Sequence, residues 1–224
     1  LEELKVPYTG SGTESSRASF DKVLSKKLFE QNGIPTPRYE ILRAGQAGTL
    51  PLPVMVKPPR QGSSIGISKV TDEGEWAAAF AKALEFDSEI LVEAYIEGRE
   101  LTVGVVGEQV LPVVEIRAPD GQYNYHAKYT KGVTEYLVPA PVDSETARRC
   151  QEIAWQTFNA LGCRGMGRVD IRLTPEGDPF VLELNNIPGF TETSLLPKAA
   201  RAAGIEFPQL CEMILNLAAP DFFL

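Results

Sequence analysis

Apolar positions recur along the chain in two periods, and where one period gives way to the other the elements change. Residues 15–32, SSRASFDKVLSKKLFEQN, carry Phe20, Val23, Leu24 and Leu28 as one helical stripe, which Gly33 and the following IPTPRY bring to a stop. LPVMVKP (52–58) is expected to be a buried strand ending at Lys57, and ISKV returns after a loop containing Gly62 and Gly66. DEGEWAAAFAKALEF (72–86) predicts a helix whose acidic first turn suits the positive end of the helix dipole. EILVEAYI (89–96) predicts a strand, and residues 99–118 predict a hairpin that turns at Gly107. SETARRCQEIAWQTFNALG (144–162) predicts a helix capped by Ser144; LPKAARAAG and FPQLCEMILNLAA predict a closing helical pair. Strands and helices mix irregularly and the strands turn back on themselves. The expected class is therefore α+β in two lobes rather than a doubly wound sheet.

The alternation is clearest in GRVDIRLTPEGDPFVLELN, where two runs of period two flank the turn residues TPEGDP. Leu182 and Leu184 would share a dry face, leaving Glu183 and Asn185 on the other. Closing the loop over residues 175–178 pairs Leu173 with Phe180. Counting outward, Asp170 falls opposite Glu183 and Arg168 opposite Asn185, with Arg172 on the same face. Opposed Cβ atoms lie roughly 5 Å apart, and like charges placed there destabilise the pair. Two carboxylates and an amide oxygen are hard ligands that suit Mg²⁺ or Mn²⁺ shared with a substrate's phosphates. A solvated face neutralised by Arg168 and Arg172 is the other reading of the same residues. Pro188 and Gly189 then end the strand where backbone N–H groups can meet a ligand and stabilise an oxyanion.

Composition narrows the class of partner. The chain has 224 residues, 43% hydrophobic and 23% charged, an ordinary globular balance, with a formal net charge of -8 and one histidine, His126. An acidic chain without a basic block argues against nucleic acid or an anionic membrane surface as partner, and no apolar run is long enough to span a bilayer. An anionic substrate then requires local cations. Lys22, Lys57 and Lys128 stand in separate elements that one cleft could gather, although each taken singly is an ordinary surface residue. Lys57 precedes GSSIG (62–66), whose backbone N–H groups can form an anion nest but which lacks the spacing of a phosphate loop. Glu93 and Glu100 flank AYIEGR and suit an amino group or sugar hydroxyls, or else a solvated strand edge. Cys150, Cys163 and Cys211 show neither a disulfide framework nor zinc spacing, which suits a reducing cytoplasm. Residues 119–132 are polar and aperiodic, a loop long enough to suggest function. The opening LEELKVPYTGSG reads as the tail of an earlier helix and strand, so an upstream segment is expected.

Taken together, VMVKPPRQGSSIGISKV, ILVEAYIEGRELTV, YHAKY, GCRGMGRVDIRL and LELNNIPGFTETSLLPKAARAAG resemble the D-alanine–D-alanine ligases of the ATP-grasp superfamily, in family order from residue 7 to 218. The resemblance implies an ATP-grasp fold, two α+β lobes with ATP between them. It implies a remnant of an N-terminal substrate domain over 1–14, a small lobe over 15–95 and a large lobe with the metal and catalytic site over 96–224. The implied activity is ATP-dependent ligation of two D-alanine molecules through an acyl phosphate, for peptidoglycan precursors. Ligation of another amino-acid pair, or nucleotide binding without ligation, are the alternatives.

By matching motif positions, the resemblance implies that Lys22, Lys57 and Lys128 bind ATP phosphates. Glu93 and Glu100 would hold adenine and ribose, with Ala94 and Ile96 lining the adenine slot. Asp170, Glu183 and Asn185 would carry two Mg²⁺ ions, or Mn²⁺. Arg168 and the Gly189 N–H would stabilise oxyanions, Ser63 and Tyr129 would order the substrate, and Ser194 and Leu195 would lie near the second substrate's carboxylate. Water would hydrolyse the acyl phosphate, so residues 123–136 are expected to act as a lid. His126 stands where the lid motif usually has an acidic residue, and Asn186 and Phe190 replace the more usual Thr and Met, which leaves the pair of substrates open. Tyr129, where a hydroxy-acid-forming relative often has Phe, points to a dipeptide product. The expected partners are ATP and D-alanine or a similar amino acid, in the cytoplasm, with room for a homodimer.

Overall fold

The computed structural model describes residues 1–119, 130 and 133–218, and arranges their strands as two antiparallel sheets. The first contains β1 (Tyr39–Arg43), β2 (Val54–Lys57), β3 (Ser68–Val70) and β4 (Glu89–Ala94) in the order β1-β4-β2-β3. Val54, Val56, Val70, Ile90 and Val92 turn one face of it toward Ala79, Phe80 and Ala83 of α3 (Trp76–Leu84). A capping box between Asp72 and Glu75 starts the 3₁₀ turn Glu73–Glu75 that leads into this helix. The strand β1 was not expected so soon after the glycine and proline stop signals. Its consequence is local and large. Because β1 pairs with β4, β4 becomes an interior strand, and Glu93 lies opposite Tyr39 on one side and Met55 on the other. Glu93 is only 2% exposed, so the solvated-edge reading of this residue is incorrect.

The second sheet is built on β5 (Arg99–Val106), in the order β10-β9-β5-β7-β8, with β6 (Gln109–Val110) pairing to β5. Its other strands are β7 (Val114–Arg117), β8 (Glu135–Leu137), β9 (Met166–Leu173) and β10 (Pro179–Asn185). Alternation divides its faces. Leu101, Val103, Val105, Val169 and Ile171 pack with Cys150, Ile153, Ala154 and Phe158 of α4 (Ser144–Ala160). Val106, Val114 and Ile116 pack with α5 (Leu195–Ala202) and α6 (Phe207–Asn216). Gly104 lets α5 approach, since a Cβ there would lie 2.8 Å from the Leu196 Cδ1. The α4 cap is Asp143, not Ser144: the Asp143 carboxylate accepts from the Thr146 N–H at 2.9 Å.

The stretch expected as one helix is two, α1 (Thr13–Phe20) and α2 (Lys22–Gln31). Asp21 breaks it, because its extended backbone and carboxylate cap α2 by accepting from the Val23 and Leu24 N–H groups. The break makes Lys22 the first residue of a new helix and leaves Phe20 58% exposed instead of buried in the stripe. Phe29 and Ile34 pack in the α4-facing core of the second sheet, so α2 sits with that sheet, although the sequence boundary groups it with the first lobe.

The β9–β10 hairpin reaches the expected pairing by an unexpected route. Pro179, not Phe180, faces Leu173, and a bulge between Val181 and Glu183 then restores the register. Asp170 lies opposite Glu183 and Arg168 opposite Asn185. One extra residue changes the phase of the strand. Val181 and Leu184 both enter the core, and Leu182, expected to share Leu184's dry face, instead lines a cavity beside Glu183. No helix among the described residues is long and apolar enough to cross a membrane.

Candidate nucleotide and metal site

Two strand ends, one helix start and the interiors of two further strands meet between the sheets. Lys57 closes β2, Lys22 opens α2, Ala94 closes β4, and β9 with β10 present Asp170 and Glu183. They line a cavity of about 980 Å³, its open mouth included, together with Glu93, Ile96, Glu100 and Arg172. A second cavity abuts it, lined by Ser63, Arg168, Asn185, Gly189, Ser194 and Leu195. Lys22 and Glu183 belong to both. The structure thus brings together all the site residues named from the sequence except Lys128 and Tyr129, which lie outside the described residues, as do His126 and most of the expected lid.

Each acid at the junction has a cationic neighbour. Lys22 Nζ lies 3.1 Å from Glu183 Oε2 and donates to the Gln61 carbonyl at 2.7 Å. The Arg168 fork donates to both oxygens of Asp170, from Nε and Nη2 at 2.9 Å each, and the Thr102 hydroxyl adds a bond of 2.6 Å. Arg172 Nη2 lies 3.1 Å from Glu100 Oε2. The Asn185 side-chain oxygen accepts from the Ile187 N–H at 3.0 Å, which turns the chain away at the end of β10. Among the described residues no three His, Cys, Asp or Glu side chains form a metal cluster, and the candidate set is two carboxylates and an amide.

The loop between β2 and β3 carries backbone strain. Ser63 and Ser64 adopt φ of 53° and 60°, the left-handed region that non-glycine residues avoid, at about 1–3 kcal/mol each. Ser63 faces the second cavity and Ser64 the first. At the far side, Ser194 Oγ accepts from the Thr191 N–H at 3.1 Å, and a Cβ at Gly189 would stand 3.2 Å from it. A side chain at 189 would therefore crowd the hydroxyl at the start of α5.

Sequence reasoning missed several contributors. Lys26, one turn after Lys22, is fully buried against Glu93, whose other oxygen meets Lys57. Burial pushes Lys26 down to about 8, against the attraction of Glu93; burial would raise Glu93, but Lys26 and Lys57 together hold it below the usual carboxylate range. Two lysines at i and i+4 repel unless acids answer them, and that was the available signal. Lys22 and Lys57 are themselves 8% and 7% exposed, so neither is an ordinary surface lysine. Tyr95, with the Lys69 Nζ 3.6 Å from its ring centroid, also lines the first cavity.

Two α+β layers closing on a lysine-lined cavity with paired acids at its floor define an ATP-grasp protein. Comparison with known proteins agrees. The profile of the family described as D-ala D-ala ligase C-terminus matches residues 28–216. A D-alanine–D-alanine ligase of Methylacidiphilum infernorum is 49% identical over 213 residues, 95% of this chain and 70% of that protein. One from Syntrophotalea carbinolica is also 49% identical, over 96% of this chain and 71% of its own length. The crystal structure of VanG D-Ala:D-Ser ligase from Enterococcus faecalis superposes with a TM-score of 0.87 at 35% identity, covering 97% of this chain and 67% of that one. A D-alanine–D-alanine ligase from Bacillus anthracis complexed with ATP gives a TM-score of 0.84 at 32% identity, over 97% and 72%. The chain belongs to the D-alanine–D-alanine ligase family.

Proposed function

We propose that this protein joins two D-alanine molecules, converting ATP to ADP and phosphate. The observation that carries the reading is the shared wall of the two cavities. Lys22 and Glu183 stand in both, so the phosphate end of a nucleotide in the first opens directly onto a substrate in the second. The relatives named as D-alanine–D-alanine ligases favour D-alanine over other amino-acid pairs.

In this reading adenine lies against the backbone of Ala94 and Ile96 with Glu93 beside its amino edge, and Glu100 takes the ribose hydroxyls. Lys22, Lys57 and Lys128 meet the phosphates. Asp170, Glu183 and Asn185 are the residues for Mg²⁺ or Mn²⁺, and their donor set fits. All three offer hard oxygens, too few for a closed cage, which suits a cation completed by phosphate oxygens and water. The Lys22 ammonium 3.1 Å from Glu183 already shows positive charge held at that point. When bound, the ions would neutralise charge on the transferring phosphoryl group.

The protein's own part is positioning. The first D-alanine presents its carboxylate to the γ-phosphate from the second cavity, ordered by Ser63 and Tyr129. The second has its carboxylate at Ser194 and Leu195, where the first turn of α5 supplies N–H groups and a positive dipole end. Its amine then attacks the acyl phosphate, and Arg168 and the Gly189 N–H take the oxyanion. Phosphate leaves. The thiols of Cys150, Cys163 and Cys211 are unpaired, in keeping with a cytoplasmic setting.

The test uses D-alanine labelled with ¹⁸O in its carboxylate. An acyl-phosphate route moves one labelled oxygen into the phosphate for each dipeptide formed, seen by mass spectrometry. ATP cleavage with unlabelled phosphate, or no dependence on D-alanine, would contradict it.

A further inference from the structure

Lys26 reaches neither cavity, yet it holds one oxygen of the acid that grips Lys57. Its ammonium pairs with Glu93 Oε1 while Lys57 pairs with Oε2. It also donates to the Thr36 hydroxyl, which in turn donates to the Val181 carbonyl at 2.7 Å. Lys26 is thereby anchored to the second sheet, whereas Glu93 and Lys57 belong to the first. One carboxylate shared by two ammonium groups leaves a net positive charge, and of the two only Lys57 faces the cavity.

We propose that Lys26 is a positioning residue for nucleotide binding: by holding half of Glu93 it keeps the charge of Lys57 available for phosphates. Without it, Glu93 and Lys57 form a closed neutral pair and the cavity loses a cation. At pH 7 Lys26 still carries its proton, since burial lowers it only to about 8. The inference rests on the reading of Lys57 as a phosphate contact.

Calorimetric titration with Mg-ATP and with adenosine, which has no phosphates, tests it at pH 7. Lys57→Met should weaken ATP and spare adenosine; if it does not, the reading of Lys57 is wrong and the inference falls with it. Given that loss, Lys26→Met should weaken ATP about 10- to 100-fold, as expected for removing one unit of nearby charge, and leave adenosine unchanged. Equal loss of both ligands, or of neither, would overturn the inference and leave Lys57's role standing. In a Glu93→Gln background there is no carboxylate to share, so Lys26→Met should then cost no further ATP affinity; continued loss would also overturn it. Should Lys26→Met fail to fold, Lys26→Gln keeps an amide for Thr36 and is read in the same way.

Discussion

Replacing Glu183 by Gln is expected to lower D-alanine-dependent ADP release at least about 100-fold while moving the thermal midpoint by only a few degrees. The side chain is 33% exposed and lies in the wall common to both cavities, where its contact is Lys22. Its neutral isostere keeps the volume and removes the charge that a divalent cation would need. The Gln amide oxygen can still accept from the buried Lys22 ammonium, which keeps the cost to stability to about 1 kcal/mol. A variant that unfolds but retains specific activity would show that Glu183 holds the fold and not the cation.

Glu93→Leu should act on the fold itself, lowering stability by about 3–5 kcal/mol in urea denaturation. Removing this acid leaves Lys26 and Lys57 buried against each other with no negative partner. The deficit should shrink as pH rises. Lys26 already has its pKa depressed to about 8 from an ordinary 10.5, and losing Glu93 depresses it further. A folded state that binds fewer protons than the unfolded chain gains stability with pH across that window. Adding Lys26→Met to Glu93→Leu should restore part of the loss, since an apolar replacement of a buried pair is often tolerated. A single variant as stable as the wild type would mean that water reaches the lysines.

The two predictions separate what was legible in the sequence from what was not. Counting outward from the turn reaches the Asp170–Glu183 pairing only because the turn was placed one residue off and the bulge between Val181 and Glu183 makes up that residue. The alternation and the turn chemistry are local; the bulge is not. The same count placed Leu182 in the core, since nothing local announces a bulge. The break at Asp21 is local too, but an aspartate inside an apolar stripe reads equally as a solvated helix residue. The burial of Glu93 was out of reach. It depends on β1 adding to the sheet edge and on Lys26 arriving from a helix packed against the other sheet, and neither is a property of EILVEAYI. Lysines read singly look solvated; their partners come from distant parts of the chain.

The central claim is that β9 and β10 hold a divalent cation against a nucleotide. Electron paramagnetic resonance of Mn²⁺ titrated into the protein with and without ATP tests it most directly. Tight Mn²⁺ binding only when ATP is present, lost in Asp170→Asn/Glu183→Gln, is the predicted result. Equal Mn²⁺-ATP binding by the wild type and that double variant would contradict it.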